Sequence, residues 1–209
     1  FIACPGKPDT VRVPAGGRQG RARSAWPRTG GPGGHATSLS APASGPTVIY
    51  DGTLTGGLSV VFELFSRGLS PARILVEGKG GQIGLFEAPL RLETDEEKAC
   101  RAWRRFGELF GETGRRQLYR VFLSGDEAAA ELIYGAVAQV LEARRGEVVP
   151  RWASSPIWER IESLSSRVAR EAHRMQGLVR FEELAAGACA ATIQPRYDVL
   201  PLIGPHFQE

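Results

Sequence analysis

One run constrains this chain more than any other: "SSPIWERIESLSSRVAREAHRMQGLVRF", residues 154 to 181. Ser155 followed by Pro156 is a helix-start signal, because proline at the first helical position forfeits only an N–H that has no partner there anyway. At 100° per residue, Ile157, Ile161, Leu164, Val168 and Met175 fall within about 60° of arc. A stripe that narrow must be buried on one side and leave the other to water. The spacing predicts one long helix running to about Gln176, with Gly177 ending it. Such a helix needs other helices or a sheet to pack on.

The rest of the chain offers both. Val48-Ile49-Tyr50 reads as a short strand closed by the turn pair Asp51-Gly52. Leu58, Val61, Phe62, Phe65 and Leu69 follow helical spacing, which predicts a helix over 54–67. Strands are expected at 74–76, 83–86 and 90–92. Thr94 with Glu97 has the form of a capping box. The helix behind it carries Ala99, Ala102, Trp103, Phe106, Leu109 and Phe110 on one face. A shorter helix is expected at 115–123. A long one opens at Asp126 and stops at Gly146. Two strands, 178–182 and 189–193, suggest an antiparallel pair. Pro201 and Pro205 forbid one continuous helix through the end of the chain. The fold class is therefore α+β: a helix-rich domain with a small, mostly antiparallel sheet.

Residues 1–46 are different in kind. They are rich in Gly, Pro, Ser, Ala and Arg and have no apolar periodicity, which predicts a disordered tail or linker. They hold six Lys/Arg against Asp9 alone, so residues 47–209 carry 20 basic and 22 acidic residues. The ordered domain, expected over 47–209, is near neutral. Attraction for phosphate must then come from local patches. No run of about 18 apolar residues is present, so no membrane span is expected. Cys4, Cys100 and Cys189 are odd in number and far apart, which favours a reducing cytoplasm over a disulfide framework. His35, His173 and His206 have no metal-ligand spacing, and neither a metal nor another cofactor is expected. There is no initiator Met, which is expected of a fragment or a mis-started frame.

The chemistry concentrates on the last long helix. Arg160, Arg167, Arg170 and Arg174 share an arc roughly 80° wide beside the apolar stripe. Guanidiniums so arrayed can hold successive phosphates through their planar forks of donors. Glu171 sits on the seam, three residues from Arg174 and four from Arg167, and can orient either. His173 lies nearly opposite the apolar stripe. The competing reading is an ion-paired, solvated helix face with a surface histidine. Arg101, Arg104, Arg105, Arg115, Arg116 and Arg120 form a second basic group, interrupted by Glu108 and Glu112. "IYDGT" lacks the second aspartate of an aspartate-nucleophile phosphatase, since Thr53 stands there. "EGKGGQIG" does not have the spacing of a phosphate-binding P-loop.

Four stretches taken together resemble a family: "IYDGTLTGGLSVVFELF", "LETDEEKACRAW", "REAHRMQGLVRFEEL" and "YDVLPLIGPHF". The family is an uncharacterised bacterial one assigned to DNA metabolism or DNA repair. Its members accompany a radical-SAM protein, and some are fused to a uracil-DNA glycosylase domain. The resemblance implies an accessory role in DNA repair with DNA and such a protein as partners. It implies a site at Glu171, His173, Arg174, Arg180 and Phe181, joined by His206 and Phe207. Leu178 departs from the family's usual Phe. The family also continues past the His-Phe pair, so truncation at the C-terminus is expected. The resulting expectation assigns phosphate contacts to Arg167, Arg170, Arg174 and Arg180. Glu171, Phe181 and Asp51 are supporting residues, and His173 and His206 are acid–base candidates. The alternatives are a protein-interaction module anchored by Trp103, Trp152 and Trp158, or a His-dependent enzyme on DNA or nucleotides.

Overall fold

The computed structural model describes residues 45–79, 88–143, 155–183 and 189–207. The expected tail at 1–44, the strand at 83–86, the stop at Gly146 and the anchor Trp152 lie outside the described residues. Gly45 and Pro46, read as the end of the tail, are described, and the Pro46 carbonyl accepts from the Ala72 N–H.

The chain opens with β1 (Thr47–Tyr50), every residue of which is buried. It runs parallel to both neighbours, β2 (Arg73–Val76) and β3 (Leu90–Arg91), in the order β2-β1-β3. A strand in the middle of a parallel sheet is covered on both faces, which is why it reads as an unbroken apolar run rather than an alternating one. The connection to β2 is the helix α1 (Leu54–Arg67). The Thr53 hydroxyl caps it by accepting from the Gly56 N–H at 2.9 Å. Gly56 is required by closeness: a Cβ there would stand 2.0 Å from Asp51 Oδ1.

α2 (Glu96–Leu123) follows, capped by Asp95, whose carboxylate accepts from the Lys98 N–H at 3.0 Å. The capping box expected at Thr94 is not formed. The Thr94 hydroxyl instead donates to Asp51 Oδ2 at 2.6 Å, 43 residues upstream. Gly111 breaks the helical path of α2 with φ 68° and ψ −179°, a conformation open to glycine and costly for other residues. That break is why the sequence reads as two helices, the second over 115–123. α3 (Ala129–Ala143) and α4 (Pro156–Leu178) complete the helical layer. Ser155 caps α4 with Pro156 in its first turn. Gly177 does not end it. The helix continues to Leu178 and leaves through an extended Val179, with the Val179 N–H on the Met175 carbonyl.

β4 (Glu182–Glu183) and β5 (Cys189–Ala190) pair antiparallel, shorter than the 178–182 and 189–193 expected. The chain closes with a four-residue helix α5 (Leu200–Ile203) and a 3-10 turn at Gly204–Phe207. The α+β, helix-rich class holds, and the expected antiparallel pair is present, but the three-stranded sheet is parallel rather than antiparallel.

The main core lies among the four long helices, with Phe106, Leu118, Val137 and Ile161 fully enclosed. A smaller cluster joins the sheet to α1 through Val48, Val60, Leu64 and Ile74. A third holds the C-terminal segment down: Val199 and Ile203 pack on Val168, Ala172 and Met175 of α4 and on Leu123 at the end of α2. The Asp198 N–H donates to the Leu123 carbonyl at 3.2 Å. No helix among the described residues is long and apolar enough to cross a membrane.

Candidate functional site

The apolar stripe of α4 points inward, as Ile161, Leu164, Val168 and Met175 are all buried. That orientation fixes where the arginines go. Arg167, Arg170 and Arg174 line an open cleft of about 390 Å3, whose other walls are Glu171, Arg196 and Tyr197. Among the described residues, four arginines and one carboxylate thus line it.

Glu171 is the organising group. It is only 8 % exposed, and both carboxylate oxygens are occupied. One accepts from Arg174 Nη2 at 2.5 Å, the other from the backbone N–H of Arg196 at 3.0 Å. The Arg196 N–H is the main reason its carboxyl stays below the usual carboxylate range, against the upward push of burial, with the Arg174 guanidinium helping. Glu171 therefore sits ionised beneath the cleft and ties the C-terminal segment to α4. It leaves Arg174 60 % exposed, with donors to spare. Arg167 and Arg170 face solvent with no carboxylate partner among the described residues. The Arg196 guanidinium lies 5.7 Å from the Tyr197 ring centroid.

The other expected residues lie elsewhere. Arg160, on the same arc, is held by both oxygens of Asp126 at 3.1 Å and does not line the cleft. Arg180 bonds the carbonyls of Gly177 and Val179 at 3.1 and 3.2 Å, closing the end of α4 rather than reaching the cleft. His173 and His206 are both exposed and neither lines it. His206 instead adjoins the ring of Phe207, which meets Phe181 edge to face at 5.2 Å. Asp51 stands at the far end of β1, taking hydrogen bonds from Thr53 and Thr94. Burial raises its carboxyl, but these bonds outweigh it and hold it below the usual range. The hydroxyl of the preceding residue, Tyr50, is pushed up to about 12 by burial, with the Asp51 charge adding to it.

Of the three expected anchors, the two among the described residues, Trp103 and Trp158, pack into the core. Trp158 is buried against Phe110. Trp103 packs on the core beneath the Arg115 guanidinium. Among the described residues no three of His, Cys, Asp and Glu come together as a metal-binding group.

Arg196 and Tyr197 were not on the expected list of phosphate contacts. Their signal in the sequence is faint: Arg196 is the lone basic residue after Arg180. Nothing local marks it as a neighbour of Glu171, 25 residues earlier.

Residues 127–209 match a family model described as a domain of unknown function, DUF4130. The match takes in α3, α4, the cleft and the C-terminal segment, and leaves out the parallel sheet. No curated protein and no solved structure matches the chain.

Proposed function

We propose that the cleft beside α4 binds the phosphate backbone of DNA. In this reading the chain is an accessory domain in DNA metabolism or repair that works beside a radical-SAM protein or a uracil-DNA glycosylase domain. The supporting observation is the meeting of Arg167, Arg170, Arg174 and Arg196 around one open cleft, with the already satisfied Glu171 carboxylate beneath them. Guanidiniums suit phosphate because each stays charged and presents a rigid fork of donors. Among the described residues, no acid–base pair lines the cleft. Glu171 is committed to Arg174 and Arg196, and both histidines are outside. Binding is thus favoured over a His-dependent reaction.

The test is fluorescence anisotropy with labelled DNA across a salt series, on the full chain. If each of the four arginines neutralises a phosphate, log affinity falls against log salt with a slope of about −3 to −4. The double variant R167E/R170E separates the cleft from the basic residues of 1–46. It is expected to lower affinity on the order of 100-fold. Unchanged affinity in that variant rules the reading out.

A further inference from the structure

Resting on that reading, we infer that the cleft takes single-stranded nucleic acid, with the phosphates on the arginines and unpaired bases on the Phe181–Phe207 pair. The observation is a second surface, just beyond the C-terminal end of the helix that carries the arginines. Phe181 is 51 % exposed and Phe207 36 %, although the two rings touch at 5.2 Å. Leu178 and Leu200 are exposed as well. Two phenylalanines that find each other and still face water leave flat apolar area open to a ligand.

The order of contacts joins this pair to the cleft. The C-terminal segment follows α4 toward its C-terminal end. Arg196 is bonded to Glu171. Val199 and Ile203 then pack along Val168, Ala172 and Met175. Phe207 meets Phe181 just beyond the last turn of α4. From Arg167 to Leu178 the helix rises roughly 16 Å, so the arginines and the rings follow one another in order along the axis of α4. A polyanion lying on the arginines is led toward the rings. Duplex DNA keeps its base faces stacked on each other and has none to offer. A single strand has one per nucleotide, and a positive groove followed by aromatic side chains is how such strands are held without sequence preference.

The test uses the full chain and three labelled probes about twelve nucleotides long, within the usual site size: a dT oligomer, an abasic oligomer of equal length, and a duplex. Wild type is expected to bind the dT oligomer roughly tenfold tighter than the abasic one, and tighter than the duplex. F181L and F207L should bring dT binding down to the abasic level while thermal melting stays near wild type. R167E/R170E should weaken all three probes. If dT and abasic probes bind wild type equally, or the duplex binds tightest, the inference fails and the phosphate cleft stands. If the Phe variants weaken dT and abasic probes alike, the rings do not stack on bases and the inference again fails. The same holds if wild type shows no base preference but self-associates in sedimentation through a contact that F207L removes, which assigns the rings to a protein surface. If no probe binds, or R167E/R170E changes nothing, the cleft reading itself is lost.

Discussion

The chain carries two arginine-rich faces of similar density, on α2 and on α4, and they differ in what surrounds the arginines. On α2, Arg105 is paired with Glu108 at 2.6 Å, and Arg115 and Arg116 both lean on Glu112. Arg101 lies 4.8 Å from the Phe62 ring centroid and Arg115 5.0 Å from that of Trp103. These guanidiniums pair with carboxylates of their own helix or cover aromatic rings of α1 and α2. On α4 the carboxylate that lines the cleft, Glu171, is buried, divided between Arg174 and the Arg196 backbone, and leaves Arg167 and Arg170 facing the cleft. The lesson is that the number of arginines does not make a phosphate site. What matters is where the carboxylates fall, and whether a second segment turns a helix face into a concavity.

The contrast can be broken at its support. Ile203 is fully buried between the C-terminal segment and α4. Ile203→Ala should destabilise the protein by about 3 kcal/mol in urea unfolding. It should also weaken DNA binding, because Arg196 loses its anchorage. Next comes charge: R105E/R115E on α2 should alter DNA affinity by less than about threefold, against the hundredfold loss expected for R167E/R170E, as anisotropy will show. Equal losses erase the distinction between the faces.

Glu171 supplies a subtler test. Its carboxyl is held below the ordinary glutamate value of 4.5. A depressed carboxylate stabilises the fold above that value and loses the contribution as pH falls through its lower, folded pKa. Wild type should therefore be more stable than E171Q near neutrality, with the gap closing in urea titrations as pH falls below 4.5. A gap that is independent of pH means the ionised form is not what holds the C-terminal segment. Smallest of all, Arg160→Ala should change DNA affinity by less than about twofold, since Arg160 is engaged by Asp126 near the protein surface.

Local patterns made much of the fold readable. α1 runs over the predicted residues because its apolar spacing and its Thr53 cap are both contained in one short stretch. The start of α4 at Ser155-Pro156 is readable for the same reason. Features settled by distant partners were not. Thr94 looks like a cap until Asp51, far upstream in sequence, takes its hydroxyl and Asp95 caps in its place. Gly177 looks like a stop, yet Arg180 answers its carbonyl and the helix continues. The arginine arc was visible on a helical wheel. That Arg160 would be withdrawn by Asp126, and that Arg196 would complete a wall, depends on contacts 34 and 25 residues away in the chain. The parallel run of β1 with β2 and β3 is non-local in the same way.

The most direct measurement is the salt dependence of DNA binding by the wild-type chain beside R167E/R170E. The account predicts a steep slope for wild type that the double variant flattens by about two phosphate contacts. Two parallel salt curves of equal affinity would contradict it, because the cleft beside α4 would then be no part of the contact.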